Sequence, residues 1–151
     1  MKPLIVLIAV FIIAFFIIKI TNGKSDLALS ARVGMTVMLL FTALGHFMFA
    51  DGMALMIPEF IPFKKELVYF TAIIEIMGAI GLHISQFRVI TGWLLIVFFL
   101  AILPANIKAS LEEVNYQKGT FDGHGLTYLW FRIPLQITFI VWIYLCSIKF
   151  A

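Results

Sequence analysis

Five apolar stretches, separated by short polar segments, run along the chain and decide its fold class. They cover residues 4–20, 31–50, 67–84, 89–107 and about 127–148. Each has the length that a bilayer demands, because ~20 helical residues rising ~1.5 Å apiece cross ~30 Å of hydrocarbon. The pattern therefore predicts an all-α fold, a polytopic bundle of transmembrane helices.

Composition agrees with a lipid-exposed protein. Hydrophobic residues make up 63% of the 151 residues, and the mean hydropathy is +1.09, whereas soluble domains are ~45–50% apolar. A soluble domain this short lacks the interior to bury so many apolar side chains. The net charge of +3 is small and scattered along the chain, so it gives no indication of nucleic-acid binding.

The first apolar stretch resembles the core of a signal peptide, since Lys2 precedes a long apolar run. The residues that follow it, 20–24, contain no small-x-small cleavage site. We therefore expect a retained helix. The predicted domains are an N-terminal transmembrane helix with its connector over residues 1–30, and a four-helix membrane domain over residues 31–151.

The loops predict the orientation in the membrane. Residues 51–66 and 108–126 fall on the side of the N-terminus, and the connectors 19–32 and 85–88 fall on the opposite side. The first connector alone carries Lys19, Lys24 and Arg32. Because basic residues favour the cytoplasmic side, the N-terminus is predicted outside and the C-terminus in the cytoplasm.

The two longer loops differ in character. Residues 51–66 are too apolar for a free loop, and Pro58 and Pro62 disfavour a continuous helix. This segment either lies flat in the membrane interface or covers the outer end of the bundle as a lid. Residues 108–126 are polar and glycine-rich, which is typical of a solvated loop that begins as a continuation of the fourth helix.

Polar side chains inside the apolar stretches are the candidate functional residues. Alternating helix directions place His46, Glu75, Asn106, Arg132 and Gln136 in the same leaflet, the outer one in this topology. A carboxylate as deep as that of Glu75 has to be neutralised or paired, and Arg132 is the expected partner. Facing one another, the five side chains can satisfy most of their donors and acceptors.

Two interpretations of this cluster remain open. It is either a polar binding pocket, or a network that holds the helices together, with Glu75 and Arg132 as a buried salt bridge. A haem b site is disfavoured, because His46 and His83 lie near opposite membrane surfaces. No metal site is predicted, because His46 and Glu75 supply too few ligands.

Several short motifs, taken in this order, resemble the DoxX-like family of small bacterial membrane proteins. They are Gly45-His46-Phe47, Met56-Ile57-Pro58, the glutamate-containing run 74–82, Pro104-Ala105-Asn106, and Arg132-Ile133-Pro134-Leu135-Gln136. The resemblance begins at about Ala31 and implies a four-helix bundle in the bacterial inner membrane. Residues 4–20 would then form one additional N-terminal transmembrane helix.

The resemblance also implies a redox context. The family takes its name from a subunit associated with quinone-linked oxidation of sulfur compounds, and relatives are linked to thiol and oxidative-stress systems. A dithiol mechanism does not carry over, because Cys146 is the only cysteine. Quinone binding does: Arg132 would supply fixed donors, Glu75 would orient it, and His46 would offer a titratable hydrogen bond.

The leading hypothesis is thus an accessory redox membrane subunit that binds quinone or a lipid-like molecule. A second hypothesis is a small transporter or proton-coupled permease that uses Glu75 as its carrier and acts as a homo-oligomer. A third is a membrane scaffold that recruits a partner oxidoreductase. The residues alone do not decide whether the chain is an enzyme. Besides a second copy of the chain or a partner oxidoreductase, its predicted partners are membrane lipids.

Overall fold

The computed structural model describes residues 2–150 and is all-helical over that range, with no β-strand. The outermost residues of the two predicted domains, Met1 and Ala151, lie outside it. The helices are α1 Lys2–Asn22, α2 Leu27–Met48, α3 Ala50–Ala54, α4 Lys64–Gly81, α5 Arg88–Ala101, α6 Leu103–Leu111 and α7 Gly125–Ile143, followed by a π-helical segment, Tyr144–Lys149.

Four helical spans within residues 2–150 are long and apolar enough to cross a membrane: α1, α2, α5 with α6, and α7 with the π-helical segment. The third predicted span has its expected length but begins three residues earlier, so it is more polar than expected. It forms α4, whose 18 residues include Lys64, Lys65, Glu66 and Glu75. These charges keep α4 outside the set of spans defined by length and composition.

The fourth predicted span, residues 89–107, is broken at Ile102 into α5 and α6. Pro104 lies in the first turn of α6. Proline has no backbone N–H, so it cannot bond the carbonyl four residues earlier, and its ring crowds that carbonyl. A break at this position is the expected result.

The helix ends also shift from their predicted positions. Helix α2 starts at Leu27, because the Asp26 side chain accepts a hydrogen bond of 2.8 Å from the backbone N–H of Leu29 and caps the helix. Helix α4 starts at Lys64, directly after Phe63, whose φ of 54° is left-handed. It ends at Gly81, before the predicted end at residue 84.

The core lies between α2, α4, α5 and α7. Met35, Met38 and Leu39 of α2 meet Leu95 of α5 and Ile143 of α7 there. Helix α1 packs along α2 where Gly34 faces the backbone of Leu7, and a Cβ at Gly34 would lie 3.0 Å from the Leu7 carbonyl oxygen. Small residues permit this close approach between membrane helices.

The segment between α2 and α4 is folded against the bundle. Met56 and Ile57 are buried, and the Lys108 ammonium donates to the carbonyl oxygens of Leu55 at 3.2 Å and Ile57 at 3.0 Å. Phe60 and Phe63 remain exposed. Both interpretations of this segment, a connector in the membrane interface and a lid, therefore stay predictions.

The loop between α6 and α7 folds back over the same end of the molecule. Asn115 and Thr120 form an isolated bridge, and Thr120 donates a hydrogen bond to Asp122 that lowers the pKa of this carboxyl below its usual value. The backbone of Tyr116 lies directly against Gly52 of α3. The loop and α3 thus form one cap on the bundle.

Candidate functional site

Helices α2 and α4 bring His46 and Glu75 together. Atom Nδ1 of His46 lies 3.1 Å from Oε2 of Glu75, and the side chains are 19% and 4% exposed. Beside them, the rings of Phe47 and Tyr69 stack with their centroids 5.7 Å apart. Glu75 is thus buried between two packed helices, and His46 is partly exposed beside it.

The tautomer of His46 follows from its two neighbours. The same Nδ1 atom lies 2.9 Å from the carbonyl oxygen of Thr42. A carbonyl and a carboxylate both accept hydrogen bonds, so Nδ1 has to carry the proton. Its N–H is directed at Thr42, since Oε2 of Glu75 is buried and has no aligned donor among the residues that the structure describes. Atom Nε2 of the ring is then available for a further contact.

The expected Glu75–Arg132 ion pair is wrong. Within residues 2–150, Glu75 lies at ion-pair distance from His46 and from no arginine. Arg132 instead donates through Nε to the Tyr128 hydroxyl at 2.6 Å, and its guanidinium carbon lies 5.0 Å from the centre of that ring. Arg132 is still close enough to His46 for their charges to interact.

Asn106 and Gln136 form a second buried pair, between α6 and α7. The Asn106 amide donates to the Gln136 side-chain oxygen at 3.4 Å. The Gln136 amide in turn donates to the backbone carbonyl of Phe99. That carbonyl lies in the last turn of α5, just before the helix breaks, and the Gln136 side chain satisfies it as a hydrogen-bond acceptor.

The five predicted residues therefore form two pairs and a single residue. His46 pairs with Glu75, Asn106 pairs with Gln136, and Arg132 stands one helical turn before Gln136 on α7. Helix α7 connects the groups, because Gln136 contacts α6 while Arg132 lies within electrostatic range of His46.

The sequence reasoning did not identify Tyr128 as the partner of Arg132. The signal was present, because residues four apart lie on one face of a helix. It also passed over Arg32 as a buried residue, although Arg32 is only 7% exposed. The sequence analysis counts Arg32 only among the basic residues of the first connector.

An apolar groove runs along the same α2–α4 interface. It has a volume of 210 Å³ and is lined by Leu40, Ala43, Leu44, Phe47 and Ile76. Ala43 lies one turn from His46, and Ile76 follows Glu75 in the chain. The groove opens to the side of the bundle, where apolar residues such as Leu44 are exposed. A polar pair and an apolar groove thus share one interface.

Among residues 2–150, no three His, Cys, Asp or Glu side chains are grouped as a metal ion would require. Cys146 is buried and its thiol lies 3.3 Å from the Ser147 hydroxyl. His83 contacts Thr36 at the far end of α4, away from His46.

Comparison with known proteins gives one match. A family model described as a domain of unknown function (DUF8561) matches residues 35–147. The match includes all five residues of the polar cluster and the apolar groove. No curated protein and no solved structure matches the chain.

Proposed function

This chain belongs to the DUF8561 family, and from the polar cluster we propose that it is an integral membrane protein that binds a quinone or a similar amphipathic molecule. In this proposal it serves a redox system as an accessory subunit. The observation that carries the proposal is the pair of His46 and the buried Glu75, 3.1 Å apart, next to an apolar groove on the same interface.

The chemistry of the pair suits a carbonyl ligand. With Nδ1 protonated and directed at Thr42, neutral His46 would accept a hydrogen bond at Nε2 from a quinol hydroxyl. When His46 is protonated, Nε2 would donate to a quinone carbonyl, and Glu75 would stabilise the added charge. The pair would thus hold both redox forms of one headgroup.

The groove suits the tail of such a ligand. Its lining residues are apolar, and Leu40, Leu44 and Phe47 are exposed on the outer surface of the bundle. In a membrane this surface contacts acyl chains, so an isoprenoid tail would enter from the bilayer without crossing water. The DoxX-like motifs support the same proposal. The protein would then lie in a bacterial inner membrane, with α4 as a short additional membrane helix.

The test is a titration of the full chain in lipid nanodiscs with decylubiquinone, in which binding is measured by the quenching of tryptophan fluorescence. We expect saturable binding, weakened about ten-fold by Glu75→Gln and by His46→Asn, the effect of losing ~1.4 kcal/mol. His83→Gln is the matched control, because His83 lies at the other end of α4. Binding that is absent in the wild type, or equal in all variants, would refute the proposal.

A proton-coupled permease is the second candidate, and the burial of Glu75 favours it. An intramembrane carboxylate without an aligned donor is a typical proton carrier. Proton flux into liposomes that disappears with Glu75→Gln and persists with His83→Gln would support transport. A chain that shows neither flux nor quinone binding would leave the third hypothesis, a scaffold for a partner oxidoreductase.

A further inference from the structure

A second polar cluster lies at the end of the bundle opposite His46 and Glu75. At its centre Arg32 of α2 is buried, with 7% exposure. Its Nη1 atom donates to the carbonyl oxygens of Cys146 at 2.9 Å and Phe150 at 3.4 Å. These neutral acceptors orient the guanidinium and leave its positive charge uncompensated.

Arg32 also has a buried donor without an acceptor. Within the described residues 2–150, its Nε atom has no hydrogen-bond partner. None of the carboxylates of residues 2–150 lies within ion-pair distance of Arg32. The nearby acid, Asp26, uses its side chain to cap α2. A buried charge is normally paired directly, and no such pair is formed by Arg32 within residues 2–150, so Arg32 is a candidate anion-binding residue.

Two further basic side chains converge on the same place. Thr36 lies one turn after Arg32, and its hydroxyl is 2.9 Å from Nε2 of His83. The same hydroxyl lies 3.3 Å from the Ala79 carbonyl oxygen, which fixes His83 beside α2. Arg88 donates to the carbonyl of Leu82, the neighbour of His83, at 3.2 Å.

We propose that Arg32, His83 and Arg88 bind the phosphate of an anionic phospholipid headgroup. Arg88 is the first residue of α5, so the cluster lies where a helix ends and a headgroup layer would begin. Guanidinium groups bind phosphate oxygens with paired hydrogen bonds. Charge repulsion between Arg32 and Arg88 is relieved when an anion lies between them.

The surroundings favour a lipid over a soluble phosphate. Ile84, Phe87 and Ile90 are exposed next to the basic residues and are 42%, 55% and 57% accessible. Acyl chains would cover these side chains, whereas a soluble phosphate would leave them bare. The site would take phosphatidylglycerol or another lipid with a net negative headgroup. It is independent of the quinone proposal.

The experiment is native mass spectrometry of the full chain in detergent with equal amounts of phosphatidylglycerol and phosphatidylcholine. We expect bound phosphatidylglycerol to exceed phosphatidylcholine, and Arg88→Gln to lower its apparent affinity about ten-fold, the loss of one charge-assisted contact. Lys24→Gln is the matched control, because it removes an exposed charge from the same end of the molecule.

Arg32→Gln removes the contacts to the C-terminal carbonyls and is expected to disturb folding, so His83→Leu serves as the second variant. It should weaken phosphatidylglycerol binding without changing phosphatidylcholine binding. Equal retention of the two lipids, or an equal loss with Lys24→Gln, would overturn the proposal. Release of the lipid by excess inorganic phosphate, but not by sulfate, would show a site for soluble phosphate and overturn the lipid assignment.

Discussion

The side-chain amide of Gln136 in α7 donates to the backbone carbonyl of Phe99 at the end of α5. Helix α5 ends two residues later, at Ala101, and Pro104 follows in the first turn of α6. The polar group that the sequence placed in the cluster therefore satisfies a backbone carbonyl at a helix break. In lipid, such a carbonyl has no water to bond.

Gln136→Leu is expected to destabilise the protein by about 1–2 kcal/mol, because it leaves the Phe99 carbonyl and the Asn106 amide without partners. Unfolding by sodium dodecyl sulfate in mixed micelles measures this change. Thr138→Val is the control on the same helix, since its hydroxyl bonds only the Pro134 carbonyl of its own helix. A Gln136→Leu variant as stable as the control would contradict the expected role.

Gly52→Ala should loosen the cap made by α3 and the loop between α6 and α7. A Cβ at this position would collide with the backbone carbonyl of Tyr116. Gly45→Ala is the control, because the nearest atom to its added Cβ is Met53 Cε at 3.9 Å. We expect Gly52→Ala to lower the thermal unfolding temperature and Gly45→Ala to raise stability by about 0.5–1 kcal/mol.

Lys108→Met should free the segment between α3 and α4. It removes the ammonium group that donates hydrogen bonds to the backbone carbonyls of Leu55 and Ile57. Hydrogen exchange of residues 55–63 is expected to become faster. Lys65→Met is the control, because the Lys65–Asp51 pair is largely exposed to solvent and contributes little to stability. Equal exchange in both variants would argue against anchoring by Lys108.

The predicted orientation can be measured with cysteine variants in a Cys146→Ser background. A membrane-impermeant maleimide added to whole cells should label Lys118→Cys, on the predicted outer side. It should label Lys24→Cys only after the cells are lysed. The reverse pattern would invert the topology and leave the helix packing as described. Native Cys146 is expected to react slowly in the folded protein, since its exposure is 2%.

The sequence predicted the helical class because apolar stretches of membrane length leave few alternatives. It located the helix ends less well, because these depend on local contacts. Asp26 extends α2 by capping it, and Pro104 splits a stretch whose hydropathy is continuous. Length and hydropathy also did not predict that α4 would be more polar than the other long helices.

The candidate site shows a similar limit. Residue spacing gives the depth of a side chain in the membrane, but packing decides which helix faces it. His46 and Arg132 were expected at a similar depth in the membrane. Because α2 packs against α4, the side chain that contacts Glu75 is His46. Arg132 donates instead to the hydroxyl of Tyr128, which lies one turn away on the same helix.

The π-helical segment has a consequence for how sequences of this family are compared. A π-turn accommodates one more residue than an α-turn over the same rise, as the hydrogen bond from the Phe150 N–H to the Leu145 carbonyl at 3.0 Å illustrates. A homologue with a single deletion between Tyr144 and Lys149 would wind this stretch as an ordinary α-helix. Its final residues would keep their orientation towards Arg32, and the gap would mark a change in helix type.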